Sequence, residues 1–198
     1  ALTGGTATTA DIDYQPLAAG TLSVTAGGAF TQTVTVVVNG DNKVELNETV
    51  LMTLSNPVNA SILDGSGTGT ITNDDNAVIT ISNPSLAEGC TGGNPVMVYN
   101  VSMSNPSDAS VSFNHATLDG TATVANSDYL AASGMTSIAA GVQQATIQVS
   151  LVGDCFIEPN ETFLARLSSL NTNGRAITFS GNGATLDGTG TILNDDAV

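Results

Sequence analysis

The chain has 198 residues, with 18 acidic against 3 basic side chains and a formal net charge of −15. Such a surface repels nucleic acid and anionic lipid, which are bound through basic contacts, and it favours cations. At 41% hydrophobic the chain can bury a core, so its acidity is not that of a disordered tail; no stretch approaches the ~20 apolar residues of a membrane span, and no signal peptide is present, so the chain reads as mature or as a fragment.

Thr, Gly, Asn, Val and Ala set the texture and long helical patterns are absent, which predicts an all-β protein of short strands and tight turns. In chain order, "TVTVVV" (Thr33–Val38) and "TVLMTL" (Thr49–Leu54) alternate as half-buried strands do. Seven further strands, A to G, follow. A is Ala77–Ser82, B lies near Pro95–Ser102, C near Val111–Leu118 and D near Thr136–Ile138. E is Ala145–Val152, F is Thr162–Ser168 and G is Gly188–Leu193. In E, Ile147, Val149 and Leu151 face one way and Thr146, Gln148 and Ser150 the other. Turn-rich pieces separate the strands at the spacing of a sandwich.

Three motifs occur twice in the same order. "GTATTADIDY" (Gly5–Tyr14) matches "GTATVANSDY" (Gly120–Tyr129), "GDNKVELNETV" (Gly40–Val50) matches "GDCFIEPNETF" (Gly153–Phe163), and "GTGTITNDD" (Gly67–Asp75) matches "GTGTILNDD", which ends at Asp196. A period of about 115 residues suits whole domains rather than solenoid units. The predicted division is a partial domain over 1–75, with strands C to G, and a complete one over 76–198. The first lacks counterparts of "AVITISNPSLAEG" and "NPVMVYNVSMS". A sandwich without those strands has an open edge and an uncovered core, so another chain or an upstream segment is expected to supply them.

Strand parity places the acids. If E runs upward it delivers Asp154 to the top; F descends after Glu161, G rises to Asp195 and Asp196, D descends after Asp128, and A rises towards Glu88. Glu88, Asp128, Asp154, Glu158, Glu161, Asp195 and Asp196 then share one end of the second domain. Asp13, Asp41, Glu45, Glu48, Asp74 and Asp75 share the same end of the first. These seven and six make thirteen of the eighteen acids. Hard oxygen ligands without His or Cys suit Ca²⁺, which takes 6–8 oxygens in flexible geometry. Zinc is disfavoured, since the single histidine is His115.

Glu88–Gly89, "GTATxxxxDY", "GDxxxExxNETF" and "GTGTIxNDD" together resemble the signature of the Calx-beta domain, over all of the second unit and the last two thirds of a domain in the first. That resemblance implies a seven-stranded immunoglobulin-like sandwich binding several Ca²⁺ at one end through the thirteen acids just named. Glycines at Gly153 and Gly40, where the family often has a second acid, imply fewer or weaker sites, most of all in the first unit. Cys90 lies two residues after Glu88 and Cys155 one after Asp154. If both acids reach one ion cluster the sulfurs are neighbours, which predicts a Cys90–Cys155 disulfide and an oxidising compartment.

No nucleophile motif accompanies His115, and with no Trp and 4% aromatics no sugar platform flanks the paired carboxylates, so the chain is not expected to be an enzyme. The expected function is an extracellular or cell-surface calcium-binding structural module of a multi-repeat protein, adhesin or filament, with Ca²⁺ stiffening the joint between domains. The expected partners are other copies or repeats of the same protein, through donated strands or filament contacts. The alternative is a regulatory Ca²⁺ sensor domain of a membrane transporter or signalling protein.

Overall fold

Alternating apolar residues become strands here, and the strands divide between two units. The computed structural model describes residues 1–90 and 93–196, so positions 197–198 of the predicted second domain lie outside the described residues. Contacts group Ala1–Asp41 with Leu46–Asp74 as one unit, and Asn42–Glu45 with the chain from Asp75 onward as the other. The first unit holds β1 (Leu2–Gly5), β2 (Glu48–Thr53) and β3 (Ser66–Ile71). The second holds β4 (Ala77–Ile81), β5 (Ser85–Ala87), β6 (Val96–Met103), β7 (Val111–Leu118), β8 (Ser133–Ile138), β9 (Gln144–Ser150), β10 (Glu161–Asn171), β11 (Ile177–Phe179) and β12 (Thr185–Leu193). The fold is all-β, with tandem immunoglobulin-like sandwiches of which the first lacks its N-terminal strands.

The second unit is a complete sandwich. One sheet has the order β5-β12-β10-β7-β8 and the other β11-β4-β6-β9. Period-two burial drives both faces inward. In β6, Met97, Tyr99, Val101 and Met103 are buried while Val96 and Val98 point out. Ile147, Val149 and Leu151 are each at most 3% exposed. Phe163 of β10 centres the core. It stacks on Tyr129 with ring centroids 4.3 Å apart and meets Tyr99 edge-on at 6.1 Å. Each such fully buried side chain contributes about 1.5–3 kcal/mol, which is how a chain with few aromatics holds two sheets together. Val44, fully buried, belongs to this core as well; its N–H donates to the Pro106 carbonyl at 2.9 Å.

The first strand of this unit is longer than its sequence pattern. It pairs as β4 with β6 in one sheet, crosses at Asn83–Pro84, and resumes as β5 parallel to β12 in the other. Proline has no N–H for a ladder. Its carbonyl instead accepts from the Thr191 N–H at 3.0 Å, and Asn83 Oδ1 accepts from the Thr189 N–H at 2.7 Å. This crossing carries Glu88 to the end of β12.

The first unit repeats only part of this plan. Its sheet has the order β1-β2-β3, the counterpart of β7-β10-β12. The strand expected over Thr33–Val38 does not form a ladder: only Val38 bridges, to Tyr14. Its counterpart, β9, is held by β6 through seven register pairs. Among the described residues no strand lies beside Thr33–Val38 in a ladder, and the segment is extended without a ladder partner. Alternation alone does not make a strand when the partner is missing.

Candidate metal centre

Strand direction assembles the acidic end of the second unit. β5 and β12 run in parallel, and β10 runs antiparallel to both β12 and β7. β5 and β12 therefore finish where β10 starts. Glu88 follows β5, Asp195 and Asp196 follow β12, Asp154 and Glu158 lie in the β9–β10 loop, and Glu161 opens β10. Asp128 sits between β7 and β8 at the same end, next to Glu161.

Glu88 is the most buried of these acids at 5% exposure. Burial raises its pKa from 4.5 to about 7, and Asp154, Glu158, Asp196 and Asp195 each push the same way. Every neighbouring charge acting on it is negative. Glu161 is also raised, by burial first, then by Asp128, with which it shares a hydrogen bond, and by Glu158. Carboxylate oxygens of Asp128, Glu158 and Glu161 lie within 4.8 Å of one another. Glu158 is common to two groups, the four acids that act on Glu88 and the three whose oxygens approach one another. Asp196 Oδ2 is buried and has no hydrogen-bond partner, and the pKa of Asp196 is raised by burial, Asp195 and Asp154.

Among the described residues, no basic side chain is among the groups that act on Glu88. The three in the sequence pair with acids outside the cluster: Lys43 with Glu45 at 2.6 Å, Arg166 with Asp187 at 2.8 Å and Arg175 with Asp108 at 2.6 Å. A set of hard oxygens, one of them buried and unpartnered, fits a divalent cation of the Ca²⁺ type. Such an ion, when bound, supplies the positive charge that lets Glu88 and Glu161 ionise. Cys90, Cys155 and Asp196 also approach one another, but the two sulfurs form a disulfide and offer no thiolate to a metal.

Backbone and amide groups hold the acids in place. Asp128 Oδ2 accepts from the Thr123 N–H at 2.6 Å, closing its loop. Asp195 Oδ1 accepts from the Gly89 N–H at 3.0 Å, which joins the Glu88 loop to the end of β12. Asn160 Oδ1 accepts from the Asn194 N–H at 3.0 Å, and Asn194 Oδ1 accepts from the Glu158 N–H at 3.2 Å. These two asparagines are positioning residues that the acid pattern did not single out. Their signal was the repeat, since Asn47 and Asn73 make the same bond in the first unit at 3.0 Å. Gly153 is also explained. A Cβ there would collide with the carbonyl oxygens of Glu88 and Gly89, so a second acid at this position would force the two loops apart. The Cys90–Cys155 bond, spanning 65 residues, ties the same two loops.

The first unit is less well equipped. Asp13 is buried at 8% exposure, and its Oδ2 accepts from the Thr8 N–H at 2.6 Å, as Asp128 does in the second unit. Glu48 approaches Asp13 within 4.8 Å. Asp41 and Asp74 are exposed. Glu45 and Asp75 group with the second unit. His115, half-buried on β7, has its pKa lowered by burial and lies 3.0 Å from Thr136 Oγ1. Among the described residues no helix is long and apolar enough to cross a membrane.

Comparison with known proteins agrees with this geometry. The Calx-beta domain profile matches residues 2–76 and again 72–196. Among solved structures, the apo form of the Calx CBD1 domain is similar with a TM-score of 0.50 and 22% identity, over 62% of this chain and 100% of that one. The CBD12 structure from CALX1.2 gives a TM-score of 0.50 and 22% identity over 60% of this chain and 46% of its own. The calcium binding domain CBD12 of CALX1.1 gives the same values. At such identity the likeness is one of fold. A search of the curated proteins found no match.

Proposed function

The chain belongs to the Calx-beta domain family, and from that premise we propose that it is a non-enzymatic, calcium-stiffened structural module of a multi-repeat cell-surface protein, adhesin or filament. The carrying observation is Glu88, buried among four other carboxylates with no cationic side chain to answer them. Such an arrangement is self-repelling alone and stable around a divalent ion. Glu88, Asp128, Asp154, Glu158, Glu161, Asp195 and Asp196 form the main site. Asp13 and Glu48 anchor a poorer one in the first unit. The disulfide supports an oxidising, extracellular setting.

Calorimetric titration with Ca²⁺ and with Mg²⁺, paired with thermal unfolding, tests the proposal. Ca²⁺ is expected to bind and to raise the melting temperature, with Mg²⁺ much weaker. An unchanged melting curve between excess Ca²⁺ and excess chelator would overturn it. Affinity separates the module from a regulatory sensor: extracellular modules work near 10⁻⁴–10⁻³ M and sensors near 10⁻⁷–10⁻⁵ M.

A further inference from the structure

One edge of the second unit is without charge. From Tyr129 to Gly153 the chain holds no acidic or basic side chain, and the counterpart run in the first unit, Tyr14 to Gly40, holds none either. Absence of charge therefore goes with the position in the repeat. In the second unit this run forms β8, β9 and the turn between them. β8 and β9 are the last strands of their sheets, so each presents one row of backbone groups to no other described strand. Edge strands of that kind are ordinarily blunted by lysine, proline or a bulge. β9 has none of these: its seven register pairs with β6 run unbroken, and Ala145–Leu151 contains no charge, proline or glycine.

Hydrogen bonds fix which groups of β9 are open. The Met103 N–H donates to the Gln143 carbonyl and the Leu151 N–H to the Pro95 carbonyl, both at 2.8 Å. In an antiparallel ladder a residue's N–H and C=O point the same way, so the odd-numbered residues of β9 bond β6, and Gln144, Thr146 and Gln148 turn theirs outward. Further along, Asp128–Leu130 closes the edge: the Leu130 N–H donates to the Ser150 carbonyl at 2.9 Å and the Val152 N–H to the Asp128 carbonyl at 3.0 Å. The open stretch is thus Gln144–Gln148, and its three outward residues are exposed. The rival edge, β8, is interrupted by Gly134, and glycine weakens a strand.

We propose that β9 is a self-association edge, pairing antiparallel with β9 of a second copy of this chain about a two-fold axis at Thr146. Three features select this occupant. The pairing is self-complementary: Thr146 faces Thr146 of the second copy and Gln144 faces its Gln148, uncharged polar pairs of the kind that stabilise a sheet. Each copy carries a net charge of −15, so the uncharged edge is where two copies meet without setting acid against acid. Antiparallel pairing also sends the acidic ends opposite ways. Val152, where the chain leaves β9 for Asp154, is six positions from Thr146; at ~3.4 Å per position the two acidic ends stand about 40 Å apart, several screening lengths at physiological salt. A parallel arrangement would set them side by side. The result is one continuous sheet through both copies, β11-β4-β6-β9 followed by the same order reversed. This association uses none of the acidic end, so it goes beyond the calcium reading and does not rest on it.

The test uses the full chain at physiological salt. Sedimentation across a concentration series is expected to show a monomer–dimer equilibrium in Ca²⁺ and in chelator alike, so a failure of this proposal and a failure of the calcium site are read separately. Amide exchange should slow with concentration at Gln144, Thr146 and Gln148, whose N–H groups face outward. Thr146→Lys sets like charges against each other at the axis and is expected to weaken the dimer about tenfold or more. Gln148→Pro removes an N–H that the β6 ladder does not use and is expected to weaken it similarly without adding charge. Thr80→Lys, the same charge change on β4 of that sheet, is expected to leave dimerisation unchanged. A monomer at every concentration, open-ended oligomers in place of a dimer, a dimer that both edge variants leave intact, or equal weakening by Thr80→Lys would each overturn the proposal.

Discussion

Replacing Glu88 by glutamine tests whether the acidic end is strained without an ion. The pKa of Glu88 rises from 4.5 to about 7, through burial first and then through Asp154, Glu158, Asp196 and Asp195. At 1.36 kcal/mol per pKa unit, that shift corresponds to ~3 kcal/mol. Asp154 and Asp195 are exposed, so water screens their share, and ~1–3 kcal/mol is the expected effect. Its sign follows from proton linkage. Between about pH 4.5 and 7 the folded protein keeps a proton that the unfolded chain has released, so ion-free stability falls as pH rises through that window, and the loss is complete above it. Glu88→Gln carries no charge to bury. In chelator near pH 8 it is expected to be more stable than the parent by ~1–3 kcal/mol, with the difference vanishing near pH 4. In excess Ca²⁺ the order reverses, because the variant has lost a ligand. Urea unfolding at both pH values, with and without the ion, measures all four quantities. A variant less stable than the parent in chelator near pH 8 would refute the reasoning.

Reduction of Cys90–Cys155 releases a 65-residue loop and is expected to cost ~4 kcal/mol on the chain-entropy view; the urea midpoint with and without reductant reads it, and Ca²⁺ titration of the reduced form should show weaker binding as the Glu88 and Asp154 loops separate. Asn160→Ala strands the Asn194 N–H and is expected to cost ~1–2 kcal/mol together with several-fold in Ca²⁺ affinity, whereas Asn160→Asp, which keeps the acceptor, should retain most of the stability. Arg175 grips Asp108 at 2.7 and 2.6 Å, and its hydrogen bonds hold the Asp108 carboxyl below the ordinary carboxylate range. Arg175→Met is therefore expected to lose about 1 kcal/mol near neutral pH; a depressed carboxyl pKa stabilises above the unfolded value, so the difference should disappear as pH falls through the folded one. Equal loss at neutral and strongly acid pH would rule out the ion pair as its cause.

Strand identity in the second unit was written locally, since alternation needs only neighbours along the chain: Val111–Leu118 is a strand in pattern and in structure, with the same bounds. The pairing of Cys90 with Cys155 was legible because each cysteine adjoins an acid that strand direction sends to the same end. Other features depended on partners far away in sequence. Thr33–Val38 alternates as well as β9 does, yet forms no ladder, because a strand is completed by its neighbour and none of the described residues supplies one there. The first strand of the second unit divides between two sheets because Pro84 cannot donate to a ladder and β12 offers its N–H groups to Asn83 and Pro84. Val44 carries no local mark of the core it joins. Gly153 reads in sequence as a missing acid, and only the approach of Glu88 and Gly89 shows that no side chain fits. Composition and periodicity thus determined the strands of the second unit's core, that the plan repeats, and that the chain carries a strong negative charge. Tertiary structure decided which strands find partners and which carboxylates are buried together, because hydrogen-bond ladders and desolvation are set by contacts between distant parts of the chain.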